Sequence, residues 1–226
     1  LHGGNNGTMN FYSTSKSNGF DEYYGRTEYN NDKDYDGTWG IYDMPFLQYV
    51  AEKLNKFEEP FAACIFTLSS HMPYSLPDDY VVPEYLSKNT PFEKTVRFTD
   101  DALALFFKRI SQYDWFDNTL FVIVADHGNS EHHFDKYKNV KGAYKIPMAF
   151  YAPKVIEKER TNEMAQQIDI NISILSALNI DEDVFSFGRN LFDSISKPSY
   201  ISFLNSTYQF SNGEYFMQSD GNNIQA

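Results

Sequence analysis

One predicted helix that leads directly into one buried strand constrains the fold of this 226-residue chain more than any other feature. The segment TPFE at 90–93 has the spacing of a capping box with proline at the first helical position. Apolar residues, among them Val96 and Ile110, then predict one face of a helix that ends near Tyr113. The run TLFVIVA at 119–125 is typical of a strand buried on both faces. Helix followed by buried strand predicts an α/β sheet.

The other segments fit the same class of fold. Two more helices are expected at 43–55 and 162–178, two more buried strands at 61–68 and 146–151, and three short strands at 200–204, 208–210 and 214–217. Asn212-Gly213 is a hairpin-type turn between the last of these strands. The C-terminal end of the chain therefore predicts a small antiparallel sheet.

Charge and hydropathy exclude two classes of partner for this stretch of chain. The formal net charge of −12 would repel a nucleic-acid backbone, and we find no local basic patch, so no nucleic-acid partner is expected. No apolar stretch approaches the ~18 residues that a membrane-spanning helix needs.

The single cysteine, Cys64, excludes an intrachain disulfide, and its apolar neighbours predict a buried side chain.

Histidines follow two of the predicted strands. His71 comes after strand 61–68, and His127 comes after strand 119–125 with Asp126 beside it. Ligands of α/β sheets bind at the carboxyl ends of the strands, so these side chains are candidates for one site. Carboxylate and imidazole together suit a divalent cation such as Mn²⁺ or Zn²⁺, although two ligands are not a complete site. The alternative is a turn with a capping aspartate and a surface histidine.

Three further features are weaker candidates. His132 and His133 lie close enough to His127 to bind a substrate anion or a second metal, or they belong to a polar mobile loop. Asp169 is interpreted as a surface residue of its helix. The segment HGGNNGTM at 2–9 has backbone that could approach an anion, but it lacks the spacing of a Walker loop.

Seven segments, taken in order, resemble the sulfatase-like family that includes lipoteichoic acid synthases. They are LHGG at the start, FTLSSHMPYSLP (66–77), TVRFTDDALALFFKRI (95–110), DWFDNTLFVIVADHGN (114–129), YKIPMAFYAP (144–153), QQIDINISILSALNI (166–180) and FSFGRNLF (185–192). The resemblance implies the alkaline phosphatase superfamily fold, an α/β domain with a central, mostly parallel sheet. It also implies that residues 1–194 are the C-terminal portion of a catalytic domain whose first half precedes Leu1, with 195–226 as an antiparallel appendage.

The resemblance implies roles for individual residues. Asp126 and His127 match a metal-binding pair, while His71 and His2 match histidines near the anionic group of the substrate. The family's remaining metal ligand, a Glu, and its hydroxyl nucleophile are expected upstream, so this chain contains no nucleophile and is expected to be inactive alone. The implied cofactor is one divalent ion, Mn²⁺ first, with Mg²⁺, Ca²⁺ or Zn²⁺ as alternatives.

The same resemblance implies a metal-dependent hydrolase of sulfate or phosphate esters, with an ester that is glycan- or lipid-linked. It places the protein outside the cytoplasm, as the soluble domain of a protein anchored upstream. A phosphoglycerol or phosphoethanolamine transferase is one alternative, and a non-catalytic glycan-binding module is another. The family's phosphoglycerol-binding pattern has Asp, Trp and Arg where this chain has Gly4, Met9 and Phe11, which argues against a phosphoglycerol polymerase.

Overall fold

The computed structural model of this chain describes residues 1–129, 134–157, 159–193 and 197–225. The chain divides into two compact units, Leu1–Thr119 and Leu120–Ala226. Within the described ranges, no helix is long and apolar enough to cross a membrane.

The first unit is mainly helical. Its α-helices are α1 (Phe11–Ser17), α2 (Arg26–Tyr29), α3 (Asp43–Leu54) and α4 (Pro91–Ile110), and short 3-10 helices lie at Thr8–Asn10, Asp32–Asp34, Glu84–Leu86 and Phe116–Asn118. The core forms where α3 packs against α4. Phe46 and Val50 of α3 and Phe98 and Phe106 of α4 are among the buried side chains. The unit therefore depends on the pairing of two amphipathic helices.

Helix α4 confirms the capping-box prediction. Thr90 Oγ1 accepts a hydrogen bond from Glu93 N at 3.3 Å, and Glu93 Oε2 accepts one from Thr90 N at 3.0 Å. The helix ends at Ile110, three residues before the predicted end. Val96 was expected on the buried face and is exposed, because the face that meets α3 is centred on Phe98 and Ala102.

The carboxylate of Asp43 joins three parts of the first unit. Oδ1 accepts hydrogen bonds from Leu68 N at 2.8 Å and Ser69 N at 3.1 Å, and Oδ2 accepts one from Thr99 Oγ1 at 2.7 Å. Ser69 Oγ in turn accepts from Asp43 N at 2.9 Å. Burial raises the pKa of this carboxyl, and the hydrogen bonds from Leu68, Thr99 and Ser69 act in the opposite direction. The side chain thus crosslinks α3, α4 and the chain before His71.

The predicted strand at 61–68 is wrong in extent. Only Phe66 pairs, in a parallel bridge with His2, and Phe66 N donates to Leu1 O at 3.0 Å. A strand is stabilised by its neighbours, and here the neighbouring segment supplies a single bridge. Cys64, expected to be buried, is exposed for the same reason, because nothing in this unit covers the middle of the run.

The second unit contains the regular strands. Its elements are β1 (Phe121–Val124), a 3-10 helix (Asp135–Tyr137), α5 (Val140–Ala143), β2 (Met148–Tyr151), α6 (Asp169–Ala177), β3 (Tyr200–Leu204), β4 (Thr207–Ser211), β5 (Phe216–Ser219) and β6 (Ile224–Gln225). Strands β1 and β2 pair antiparallel, with Phe121 opposite Tyr151 and Val124 opposite Met148. Strands β3 to β6 form an antiparallel sheet in chain order.

This architecture confirms the α/β class and the small C-terminal antiparallel sheet. The central, mostly parallel sheet is not shown, because the strands that the structure describes pair antiparallel. The only parallel pairing among the described residues is the bridge between His2 and Phe66. The boundary between a catalytic portion and an appendage near residue 194 stays a prediction.

Helix α6 begins seven residues later than predicted, at Asp169, and that residue is buried rather than on the surface. Its Oδ2 accepts a hydrogen bond from Gln166 N at 2.7 Å, and its Oδ1 accepts one from Arg189 N at 2.9 Å. Ser173 Oγ, one turn later, accepts from Leu191 N at 2.9 Å. The segment around Arg189 is therefore bound to the first turns of α6 through two polar side chains.

We predict that Asp43→Ala destabilises the first unit by about 2–4 kcal/mol, because two buried N–H groups and the part-buried hydroxyl of Thr99 lose their acceptor. Both tryptophans, Trp39 and Trp115, lie in this unit, so urea unfolding followed by tryptophan fluorescence reports on it alone. The matched control is Asp100→Ala, which removes a solvent-exposed carboxylate from α4. A transition midpoint that is equal in the two variants would contradict the prediction.

Candidate functional site

His2 lies beneath the surface of the first unit, with only 3% of the residue exposed. Its Nδ1 is 3.0 Å from the Tyr23 hydroxyl, and its ring packs against Phe11 and Phe66 with centroid distances of 4.7 and 5.6 Å. Nε2 is buried without a hydrogen-bond partner among the described residues. Burial lowers the pKa of His2 to about 4, so the ring is neutral near pH 7.

The absence of a side chain at Gly4 leaves room for the ring of His2. A Cβ at Gly4 would lie 2.6 Å from His2 Cε1 and 3.1 Å from His2 Nε2, so a side chain there would collide with the ring. A side chain at position 4 would therefore require the His2 ring to move from its buried position. Phe11, which was predicted to stand in place of an arginine, packs against His2, and Met9 is exposed.

His71 is an exposed residue of the same unit, and its ring contacts Met72 and Trp39. Its Nδ1 lies 2.8 Å from Met72 O, and its centroid is 4.2 Å from the ring of Trp39. The chain before it is fixed by Asp43, through Leu68 N and Ser69 N. His71 therefore has a defined ring position on a well-anchored turn.

Asp126 and His127 follow β1 in the second unit. Ala125 N still donates to Pro147 O at 3.4 Å, so the β1–β2 pairing extends to the residue before this pair. Asp126 Oδ1 accepts a hydrogen bond from His127 N at 2.9 Å, and Asp126 Oδ2 lies 3.5 Å from His127 Nε2. Both side chains are more than half exposed. The pair is open to a ligand and is held close together.

The chemistry of this pair fits a metal ion. His127 Nδ1 lies 2.7 Å from Gly128 O, and because a carbonyl oxygen only accepts, Nδ1 carries the proton and Nε2 keeps its lone pair. Two donor atoms each about 2.1 Å from one ion lie roughly 3–3.5 Å apart, which matches the separation of Nε2 from Asp126 Oδ2. The described residues hold no cluster of three or more His, Cys, Asp or Glu side chains, so these two are a partial donor set.

Gln167 is a positioning residue that sequence reasoning did not select. Its Nε2 donates to Ala125 O and to Asp126 O, both at 2.9 Å. The amide thereby connects the start of α6 to the turn that carries the candidate ligands. The signal was present only as polar residues just before an apolar helix, which is too common a pattern to assign.

The remaining predicted site residues have separate outcomes. His132 and His133 lie outside the described residues, so their roles stay predictions. His2 and His71 belong to the first unit, whereas Asp126 and His127 belong to the second. Within the first unit, the pairing of Gly4 with Gly40, next to Trp39, connects the segment of His2 to the surroundings of His71.

Sequence comparison matches most of this chain to one protein family. The Sulfatase family model matches residues 2–180. The chain is 24% identical over 208 residues to the lipoteichoic acid synthase-like YvgJ of Bacillus subtilis, which covers 81% of this chain and 34% of that protein. It is 27% identical over 243 residues to lipoteichoic acid synthase 1 of the same species, covering 95% of this chain and 38% of the relative. The chain therefore spans about a third of the length of these relatives.

Two solved structures have the same fold. A protein in the alkaline phosphatase superfamily from Vibrio parahaemolyticus superposes with a TM-score of 0.84 at 24% identity, over 99% of this chain and 55% of that one. The lipoteichoic acid synthase LtaP from Listeria monocytogenes superposes with a TM-score of 0.81 at 22% identity, over 97% of this chain and 59% of that one. At these identities the structures establish the fold alone.

We predict that the first unit loses stability as the pH falls from about 6.5 towards 4. The folded-state pKa of His2, about 4, lies below its ordinary value of 6.5, so the unfolded state binds the proton more tightly. The stabilisation is complete above pH 6.5, and protonation removes roughly 3 kcal/mol at most. Urea unfolding at pH 7.0, 5.5 and 4.5, followed by tryptophan fluorescence, measures it.

His2→Gln, which cannot titrate, should flatten this part of the pH profile. His71→Gln is the matched control, because it removes an exposed histidine from the same unit. If His2→Gln retained the full dependence on pH, burial of His2 would not be its cause.

Proposed function

Because residues 2–180 match its family model, the chain belongs to the sulfatase family, and we propose that it serves a metal-dependent enzyme cleaving sulfate or phosphate esters. The observation that carries the proposal is the paired Asp126 and His127, with the histidine tautomer fixed for metal binding. The relatives named lipoteichoic acid synthases support the same class of chemistry at a phosphate ester.

In this proposal, Asp126 and His127 hold one divalent ion, Mn²⁺ in preference to Mg²⁺, Ca²⁺ or Zn²⁺. A donor set of carboxylate oxygen and imidazole nitrogen suits Mn²⁺ better than it suits the harder ions Mg²⁺ and Ca²⁺. When bound, the ion would lower the pKa of a hydroxyl nucleophile and offset the charge that develops on the ester. The nucleophile and the remaining ligands come from outside these 226 residues, so the isolated chain is inactive and binds metal weakly.

The histidines of the first unit bind the anionic group of the ester. His71 offers Nε2 from an exposed, fixed ring, and the buried Nε2 of His2 has no hydrogen-bond partner among the described residues. A ligand oxygen at His2 Nε2 would satisfy that nitrogen, and leaving it unsatisfied costs about 1–3 kcal/mol. Donors of this kind stabilise charge on non-bridging oxygens. His132 and His133 are assigned to the same anionic group.

The substrate of this proposal is a glycan- or lipid-linked ester other than glycerol phosphate. Gly4 and Phe11 leave the surroundings of His2 without the carboxylate and guanidinium of the phosphoglycerol pattern. We place the protein outside the cytoplasm, where such envelope substrates occur, with membrane anchoring by a segment other than this chain. Residues 1–194 serve the catalytic domain, and 195–226 form its appendage.

We predict that Asp126→Asn and His127→Ala each weaken Mn²⁺ binding at least about tenfold and abolish ester cleavage in the full-length gene product. Electron paramagnetic resonance of free Mn²⁺ measures binding, and release of nitrophenol from nitrophenyl phosphate and nitrophenyl sulfate measures cleavage.

The matched control is Asp135→Asn, which changes an almost fully exposed carboxylate of the same unit. It should bind Mn²⁺ like the unaltered protein. A His127→Ala protein that kept both its metal and its activity would overturn the proposed function.

Transfer to an alcohol acceptor is the second candidate reaction, and the names of the similar relatives favour it. Hydrolysis predicts that the phosphoryl or sulfuryl group lost from the substrate appears entirely as free anion, even when a glycolipid acceptor is present. Mass spectrometry of the acceptor, together with an assay of free phosphate and sulfate, separates the two. A modified acceptor as the main product would replace hydrolysis by transfer.

A further inference from the structure

Asp36 builds the loop that precedes α3. Its Oδ1 accepts hydrogen bonds from the backbone N–H groups of Thr38, Trp39 and Gly40, at 2.8, 2.8 and 3.0 Å. Asp36 N also donates to Gly40 O at 2.8 Å, which closes the loop. Gly37, at the tip, has φ +84, a conformation that favours glycine. The backbone of Trp39 is therefore fixed by local hydrogen bonds.

The same loop is bound to the segment that carries His2. Ile41 N donates to Gly3 O at 3.0 Å, and Gly40 pairs with Gly4 in an antiparallel bridge. A Cβ at Gly40 would lie 2.4 Å from Gly3 O, so the two backbones approach as closely as they do only because glycine stands there. The backbone of Trp39 is thus held in place beside the segment that carries His2.

The side chain of Trp39 meets His71 in two ways. The two rings are in contact at a centroid distance of 4.2 Å. Trp39 Nε1 donates to Met72 O at 2.7 Å, and His71 Nδ1 lies 2.8 Å from the same oxygen. A carbonyl oxygen has two lone pairs and donates nothing, so both nitrogens donate to it. The carbonyl of Met72 therefore holds the indole of Trp39 and the imidazole of His71 next to each other.

This shared acceptor determines which nitrogen of His71 is available. Nδ1 is protonated and occupied, so Nε2 is the ring nitrogen that remains for a ligand. An anionic oxygen would accept from Nε2 in the doubly protonated ring. If the imidazole turned away from Met72, it would lose its tilted ring contact with the indole of Trp39.

We propose that Trp39 is a positioning residue for His71, which it holds through ring contact and through the shared carbonyl of Met72. The indole acts on the ester only through the imidazole. This inference rests on the proposed function, in which His71 binds the anionic group. It adds a specific residue on a different loop, and it makes a claim about the His71 tautomer that can be measured without substrate or metal.

The first test is the tautomer of His71, read from imidazole ¹⁵N shifts by long-range ¹H–¹⁵N NMR. The unaltered chain should show Nδ1 protonated, with the signal assigned by its loss in His71→Ala. Trp39→Ala should move the ring towards a mixture of tautomers, and Trp39→Phe, which keeps a ring but lacks the N–H, should lie between. Trp115→Phe, the change at the other tryptophan, should leave His71 unaltered.

A His71 ring that keeps its tautomer in Trp39→Ala would overturn the positioning role, whatever the activity of the enzyme. Circular dichroism and the urea transition of each variant show whether it is folded. If Trp39→Ala does not fold, Trp39→Phe alone decides the question, because it retains the aromatic volume.

The second test is titration with inorganic phosphate and with inorganic sulfate, followed by the ¹H–¹⁵N signal of the Trp39 indole or, in Trp39 variants, by His71 itself. Loss of one charge-assisted hydrogen bond in His71→Ala should weaken binding about 10–100-fold. Trp39→Ala should weaken it about 5–10-fold, a smaller share of the same free energy.

The outcomes of this titration separate the two proposals. Weaker binding in His71→Ala but equal binding in Trp39→Ala would overturn the inference and leave the role of His71 intact. Equal binding in both variants would overturn the anion-binding role of His71, whereas the tautomer measurement would still decide whether Trp39 positions the ring.

Discussion

The buried carboxylate of Asp43 is the interaction on which the first unit depends. It accepts hydrogen bonds from two consecutive backbone N–H groups, of Leu68 and Ser69, and from the hydroxyl of Thr99 on α4. One side chain therefore joins α3 to α4 and to the chain before His71, in addition to the apolar packing of the two helices. A buried charge is tolerated in a protein only when its hydrogen bonds are complete. Here the donors come from three different segments, so the segments must assemble together.

The second unit uses the same device at Asp169. That carboxylate accepts from the backbone on both sides of the helix start, at Gln166 N and Arg189 N. Gln167, between Gln166 and α6, then donates to the carbonyls of Ala125 and Asp126. In each unit a buried aspartate fixes a helix start, and a neighbouring segment carries the candidate site residue. This division explains how exposed residues such as His71 and Asp126 hold a defined position without burial of their own.

Local signals in the sequence predicted the elements that depend on local interactions. The capping box at Thr90 was confirmed in α4, because its two hydrogen bonds join residues only three positions apart. The apolar run at 119–125 was confirmed as strand β1 over Phe121–Val124, but Ile123 and Val124 are exposed rather than buried. The prediction of a strand at 61–68 was wrong, because a strand needs a paired neighbour and periodicity does not show whether one is present. The burial of Asp169 also escaped prediction, since its donors come from residues up to twenty positions away. The α/β class and the position of Asp126 and His127 directly after a strand were thus predictable from the sequence. The long-range hydrogen bonds of Asp169 and Gln167 were not.

His2 and His71 belong to one unit but differ in burial and in hydrogen bonding, and therefore in how each could bind a ligand. Burial makes His2 a neutral ring that packs against Phe11 and Phe66, and its Nε2 has no hydrogen-bond partner among the described residues. Such a nitrogen distinguishes a ligand oxygen by shape and hydrogen bonding rather than by charge. His71 is exposed, and its free nitrogen is selected by the hydrogen bond at the other one. A site that contains both would recognise an ester oxygen through His2 and its negative charge through His71.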